Sequence, residues 1–202
     1  MKFYYNIILI LLFCFSFSEE NSFIVELENT DEKNKYQKVS PIGNKELTFL
    51  NGDPVKFNDL YKDGPVLFNF WFLSCGPCRL EMKYLSKFNK KYKDTGFKVL
   101  SVNTDKKSKG KVKRHVETKK YSFDVLFDVN GDGFLKKLGG NLCPFTVLIN
   151  MDGTIYSKHM GFELGDEVAL EKDILEFIEY NRQFSTQDIE NPSTDSLIYL
   201  DD

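Results

Sequence analysis

The chain reads as short apolar runs alternating with amphipathic stretches, a pattern that becomes regular from about residue 45. Glu46-Leu47-Thr48-Phe49-Leu50, the turn pair Asn51-Gly52 and Pro54-Val55-Lys56-Phe57 predict two short strands around a tight turn. Val66-Leu67-Phe68-Asn69-Phe70-Trp71-Phe72 is apolar on both faces, as a central strand covered by helices on each side should be. From Arg79 the period becomes helical: Met82, Leu85, Phe88 and Tyr92 share one face, and the helix is expected to end near Thr95-Gly96. A strand over Phe97–Val102, a lysine-rich helix over Lys106–Lys120, a strand over Asp124–Asp128 and a short helix over Phe134–Leu138 follow. Phe145–Ile149 is a strand that Asn150-Met151-Asp152-Gly153 turns into Thr154–Lys158. Leu170, Ile174, Phe177 and Ile178 mark one face of a last helix, with Asp166 expected as its N-cap. Strands alternating with helices, then a closing hairpin and helix, predict an α/β fold with a mixed central sheet flanked by helices on both faces.

Both ends depart from this pattern. Met1-Lys2 precedes an almost unbroken apolar stretch from Phe3 to Phe17, and Ser16 and Ser18 place small residues at the −3 and −1 positions of a cut before Glu19. Residues 1–18 therefore read as a signal peptide, being shorter than the roughly 20 apolar residues that span a bilayer comfortably; an uncleaved anchor is the weaker alternative. Lipidation at Cys14 is disfavoured because the bulky Phe13 stands where a lipoprotein cleavage site takes a small residue. Residues 19–44 form a polar lead-in punctuated by Pro41 and Gly43, residues 45–182 the domain, and residues 183–202 an acidic, Ser/Thr-rich tail expected to be flexible, with one apolar cluster at Leu197-Ile198-Tyr199-Leu200.

Composition narrows the class. At 42% hydrophobic and 15% aromatic the chain is too apolar for disorder, and without its first 18 residues it suits a single buried core. The net charge of −3 is uneven: residues 183–202 carry five acids and no base, which leaves residues 1–182 at +2 and gives no case for nucleic-acid binding. Lys106–Lys120 holds eight lysines and arginines against Glu117, and such a run on one helix reads as a solvated face. Asp128-Val129-Asn130-Gly131-Asp132-Gly133 imitates the opening of a calcium loop, but position 12 is Gly139 rather than glutamate. No cofactor and no metal are expected, and His115 and His159 are isolated and receive no role.

Export would change what the cysteines mean, because outside the cytosol a pair can persist as a disulfide. Cys75, Cys78 and Cys143 remain after a cut, an odd number, so at least one thiol is free, transiently paired or bound. A strand running into Cys75-Gly76-Pro77-Cys78 at the start of a helix suits redox chemistry. Unpaired N–H groups and the positive end of the helix dipole favour a thiolate at Cys75, and Cys78, one turn on, is within reach to resolve a mixed disulfide. Gly76 is read as letting the backbone turn, and Pro77 suits the first turn because its missing N–H would be unpaired there. A structural disulfide is disfavoured because a helix start exposes sulfur, and half a zinc site because no second pair lies at ligand spacing. A peroxidase reading fails for want of the Pro-x-x-x-Thr-x-x-Cys surround.

Val66-Leu67-Phe68-Asn69-Phe70-Trp71, followed by Cys75-Gly76-Pro77-Cys78-Arg79-Leu80-Glu81-Met82, resembles the TlpA/ResA-type branch of the thioredoxin-like proteins. The likeness continues through Val99-Leu100-Ser101-Val102-Asn103 and Asp128 to Gly133, and closes with Leu142-Cys143-Pro144-Phe145-Thr146-Val147-Leu148-Ile149 and Asp152-Gly153, covering about residues 45–180. It implies a thioredoxin-like fold and a periplasmic or otherwise extracytoplasmic thiol–disulfide oxidoreductase, membrane-anchored or free. Such proteins commonly reduce client proteins' disulfides, frequently in cytochrome c maturation, and draw on a membrane or soluble thiol electron donor. The resemblance makes Cys75, Cys78 and Glu81 the catalytic residues and Trp71, Gly76, Pro77, Cys143 and Pro144 the substrate-binding ones.

The same resemblance places asparagine at Asn69, where cytosolic thioredoxins usually keep a buried aspartate, and matches Glu81 to an acidic residue that tunes the cysteines. The opposing reading of Glu81 is a surface glutamate that partners Arg79 or Lys83. Pro144 matches the family's cis-proline, which leaves adjacent backbone free for an extended substrate. Cys143 departs from the family, which usually has a small non-cysteine residue there. It reads first as a substrate-loop contact and then as a buried thiol packed like a small hydrophobe. From another class comes a copper(I)-handling protein holding the ion on Cys75, Cys78 and Cys143, since soft thiolates suit that metal.

Overall fold

The computed structural model describes residues 37–38, 45–105, 109–128 and 133–190, with side chains over 45–105, 109–128 and 133–183. The expected signal peptide, nearly all of the polar lead-in, residues 129–132 of the aspartate- and glycine-rich turn and the apolar cluster of the tail lie outside the described residues.

After a two-residue strand β1 (Gln37–Lys38) come β2 (Glu46–Phe49), β3 (Pro54–Lys56), β4 (Val66–Trp71), α1 (Gly76–Lys91), β5 (Lys98–Asn103), α2 (Lys109–Lys119), β6 (Asp124–Phe127), α3 (Phe134–Lys137), β7 (Phe145–Ile149), β8 (Thr154–Met160) and α4 (Asp166–Glu190). Strands β2 to β8 share a sheet in the order β8-β7-β4-β5-β6-β2-β3. β4, β5 and β6 run parallel, and the remaining neighbours pair antiparallel. This is the expected mixed sheet.

The apolar run of β4 is explained by its position: all six residues are buried because both faces of the sheet are covered. Leu67 and Trp71 join one core cluster with Met82, Leu85 and Phe88 of α1, Val112 of α2, and Leu170, Ile174 and Phe177 of α4. Val66, Phe68 and Phe70 point the other way, into a cluster with Phe57, Leu60 and Phe134. There Phe57 packs at ring-centroid distances of 4.6 Å from Phe68 and 4.8 Å from Phe134. Each such ring contributes about 1.5–3 kcal/mol by burial, so this cluster fixes the far face although only short helical segments cover it.

α1 begins at Gly76, as expected for a helix that starts at the cysteine pair with Pro77 in its first turn. Two other features differ from expectation, each for a local reason. Asp166 is the first residue of α4 rather than its cap: its carboxylate accepts the Glu163 N–H at 2.7 Å, and Glu167 accepts the Gly165 N–H at 2.7 Å. The α4 backbone also stays helical to Glu190, eight residues beyond the expected end of the domain, since no glycine or proline interrupts it before Pro192. The other expected end holds: a 3₁₀ turn over Lys93–Thr95 follows α1 and stops at Gly96, whose φ of 82° suits glycine.

Candidate active site

The end of β4 delivers the chain into a loop that is tied down from β5. The Trp71 carbonyl accepts the Thr104 N–H at 2.9 Å and the Thr104 hydroxyl at 3.2 Å. Asp105 accepts the Leu73 N–H at 2.6 Å, and Arg79 donates to the Leu73 carbonyl at 2.8 Å. These bonds set where Cys75 falls. Cys75 is the N-cap of α1, its sulfur accepting the Cys78 N–H at 3.1 Å, and the two cysteines are joined by a disulfide. Cys75 is 5% exposed and Cys78 fully buried, so attack from outside is confined to Cys75. On reduction, the N–H groups and dipole that now face the Cys75 sulfur would stabilise its thiolate.

Gly76 and Pro77 are exposed beside this sulfur, with Pro77 in the first turn of α1. Contrary to the expectation from sequence, the turn does not require glycine at 76. Its φ is not positive, and a Cβ there would meet nothing within 4 Å. What the glycine leaves is bare space. Gly76→Ala is expected to raise stability by less than about 1 kcal/mol, from helix propensity. It should also slow exchange with protein disulfides more than with small ones; urea unfolding and paired exchange rates would check both.

The loop between α3 and β7 lies against the same sulfur: the Cys143 carbonyl oxygen is 3.8 Å from Cys75 Sγ. The Cys143–Pro144 peptide is cis, and the Pro144 carbonyl accepts the Gly161 N–H at 2.9 Å, tying this loop to the segment after β8. Cys143 is a half-buried free thiol whose pKa burial pushes up to about 11, with a Thr104 hydrogen bond opposing. It is thus a thiol, not a thiolate, near neutral pH. Among the described residues no group of three or more His, Cys, Asp or Glu side chains is placed to hold a metal ion, so Cys75, Cys78 and Cys143 gain no support as a copper site.

Behind the disulfide, cross-strand register stacks three polar side chains on one face: Asn69 of β4 pairs with Ser101 of β5 and Thr146 of β7. All are buried, and all meet Glu81 or Asn69. The Asn69 amide donates to Glu81 Oε2 at 2.6 Å and to Thr146 Oγ1 at 3.2 Å, Thr146 donates to Glu81 Oε1 at 2.8 Å, and Ser101 donates to Asn69 Oδ1 at 3.3 Å. Glu81 is 1% exposed, which ends the reading of a surface partner for Arg79 or Lys83. Burial pushes its carboxyl pKa up to about 7, against the lowering effect of Thr146, His159 and Asn69. A carboxyl that titrates near neutrality one turn from Cys78 is suited to take and return a proton.

Trp71 differs from the expectation for a substrate contact. Its side chain is fully buried, 5.9 Å from the His115 ring, and its indole N–H has no hydrogen-bond partner among the described residues. It backs the site from within. His159, given no role by sequence, sits across from Thr146 in the sheet and lines a cavity of about 350 Å³ with Glu81. The hairpin register would have pointed to it, but a bulge between Leu148 and Ile149 shifts that register.

The fold and the paired cysteines define a thioredoxin-like thiol–disulfide oxidoreductase. Residues 32–174 match the Redoxin family model, and the chain belongs to that family, in its ResA/TlpA-type thioredoxin-like branch. It is 32% identical over 115 residues to the thiol-disulfide oxidoreductase ResA of Halalkalibacterium halodurans, a match covering 57% of this chain and 64% of that protein, just under two thirds of its length. To the ResA of Bacillus thuringiensis subsp. konkukian it is 29% identical over 138 residues, 68% of this chain and 77% of that one. Among solved structures, a putative thiol:disulfide interchange protein DsbE from Chlorobium tepidum superposes with a TM-score of 0.63 at 30% identity, over 72% of this chain and 98% of that chain.

Proposed function

We propose that the protein is an exported reductase of client-protein disulfides, acting through Cys75 and Cys78 with Glu81 as their proton partner. The observation that carries it is a redox pair at a helix N-terminus whose attacking sulfur lies beside the Cys143–Pro144 loop, with a neutral-range carboxyl buried one turn behind. The Cys75 thiolate attacks a client disulfide; that S–S bond breaks, and the first client sulfur leaves as a thiolate and takes up a proton. Cys78 gives its proton to the Glu81 carboxylate and attacks the Cys75 sulfur. The mixed disulfide breaks, and the second client sulfur leaves. The client gains two electrons and two protons, and the protein ends in the disulfide state of this structure.

The side chains around the pair support roles in binding for Gly76, Pro77 and Pro144, which border the attacking sulfur, and for Cys143 through its backbone carbonyl. A membrane or soluble thiol donor returns the electrons. Export is supported by the apolar stretch Phe3–Phe17, and the likeness to proteins named ResA and DsbE favours work outside the cytoplasm, with cytochrome c maturation as the setting the family suggests. Among the described residues no helix is long and apolar enough to cross a membrane.

The test is the reduction potential of the pair, equilibrated against glutathione and dithiothreitol. A value below about −220 mV supports a reductase, and one near −120 mV overturns it in favour of an oxidant. Cys143→Ser is expected to move that potential by less than about 30 mV, a tenfold change in equilibrium constant, because a protonated thiol contributes little charge to the site.

A further inference from the structure

A carboxyl that takes a proton in each cycle must also lose it, and Glu81, held by Asn69 and Thr146, is only 1% exposed. Glu81 borders a cavity of about 350 Å³ walled by His159, Met160, Gly161, Phe162 and Asp166, space for several waters. His159 stands in β8 opposite Thr146, the residue that holds Glu81 Oε1, so imidazole and carboxyl flank one hydroxyl on one face of the sheet. The ring is 34% exposed and thus reaches solvent. One ring nitrogen lies 2.8 Å from Asp173 of α4, which also accepts the Ser157 hydroxyl. Asp173 therefore orients the ring.

We propose that this cavity is the path by which Glu81 exchanges its proton with solvent, and that His159, oriented by Asp173, passes the proton on. The inference rests on the reading that Glu81 takes the Cys78 proton. In the balanced sequence the proton moves from the Cys78 thiol to the Glu81 carboxylate, from there through the cavity to the neutral imidazole, and from the imidazolium to solvent; no electron moves in these last steps. The groups that face His159 are Glu81 from α1, Thr146 from β7, Ser157 from its own strand, and Asp166 and Asp173 from α4. The His159 charge in turn offsets part of the rise that burial gives the Glu81 pKa.

The experiment follows multiple-turnover reduction of a disulfide peptide by the full chain, with dithiothreitol as the electron source, from pH 5.5 to 8.5 in dilute buffer, so that Glu81 must shed its proton in every cycle. His159→Gln is expected to slow turnover about a hundredfold, the low end for loss of a positioned proton carrier, with the rate restored by added imidazole. Ala169→Met, which fills the mouth of the cavity from an exposed helical position, is expected to slow it similarly without rescue by imidazole. Profiles of His159→Gln and Ala169→Met that superimpose on wild type, while Glu81→Gln changes the profile, would overturn the path and leave the role of Glu81 standing. A Glu81→Gln profile that superimposes on wild type would overturn both. Should His159→Gln not fold, Ala169→Met decides alone.

Discussion

Cys78→Ser is expected to turn the protein from a turnover catalyst into a covalent trap. Cys75 remains the N-cap of α1, and the N–H that faces its sulfur comes from the backbone of residue 78, which the substitution keeps. The first exchange should therefore run at close to the wild-type rate. Resolution cannot follow without a second thiolate. Cys143 is the only other thiol among the described residues, and its pKa of about 11 leaves on the order of one molecule in 10⁴ ionised at pH 7. The adduct should accumulate, visible as a mass increase equal to the client on non-reducing analysis and reversed by dithiothreitol. Cys75→Ser should instead form no adduct and lose turnover by at least about 10³-fold, since Cys78 is fully buried and cannot meet a protein disulfide. Adduct formation by Cys75→Ser at a wild-type rate would reverse the assignment of attacking and resolving sulfurs.

Much of this site is legible in the amino-acid sequence, because its parts are local. A central strand buried on both faces, a cysteine at a helix start and a proline in the first turn each follow from a short run of residues and its periodicity. Glu81 shows where locality ends: its place one turn from Cys78 does not say whether the side chain faces solvent or the sheet, and only the packing of α1 on β4 and β7 selects the buried alternative. Trp71 is misjudged for a related reason. The resemblance sets it among the substrate-binding residues, but alternation along β4 turns its ring into the core beneath α1. His159 is hidden by a different effect. Ile149 pairs with Ile155, and continuing that register would set Lys158 opposite Thr146; the bulge between Leu148 and Ile149 advances it by one residue and brings His159 there instead. One extra residue in a strand exchanges its two faces, and nothing in the alternation of Thr154–Met160 announces it.

Glu81→Gln should invert its effect on stability between acid and alkaline solution. The Glu81 carboxyl has a pKa near 7 in the folded chain and 4.5 as the ordinary value. The folded state thus binds more protons than the unfolded one between those two values. Stability carried by the neutral carboxyl is complete below about pH 4.5, falls as the pH rises through the interval, and is gone above 7. The loss amounts to about 3 kcal/mol, because each tenfold difference in proton affinity between the folded and unfolded chain is worth about 1.4 kcal/mol. Glutamine keeps the shape and stays neutral, so it lacks that slope. It carries a constant cost of about 1 kcal/mol, because its amide presents a donor where the carboxylate accepts from either Asn69 or Thr146. Glu81→Gln should accordingly be less stable than wild type at about pH 4 and more stable at about pH 8, with the curves crossing between. Urea unfolding of the oxidised proteins measures this with the cysteines held out of the titration. Parallel curves for the two proteins across that range would mean that the buried carboxyl does not change ionisation within it. The same curves would also remove it as a proton partner for Cys78, since a group that exchanges a proton at neutral pH must show that exchange in its linkage to folding.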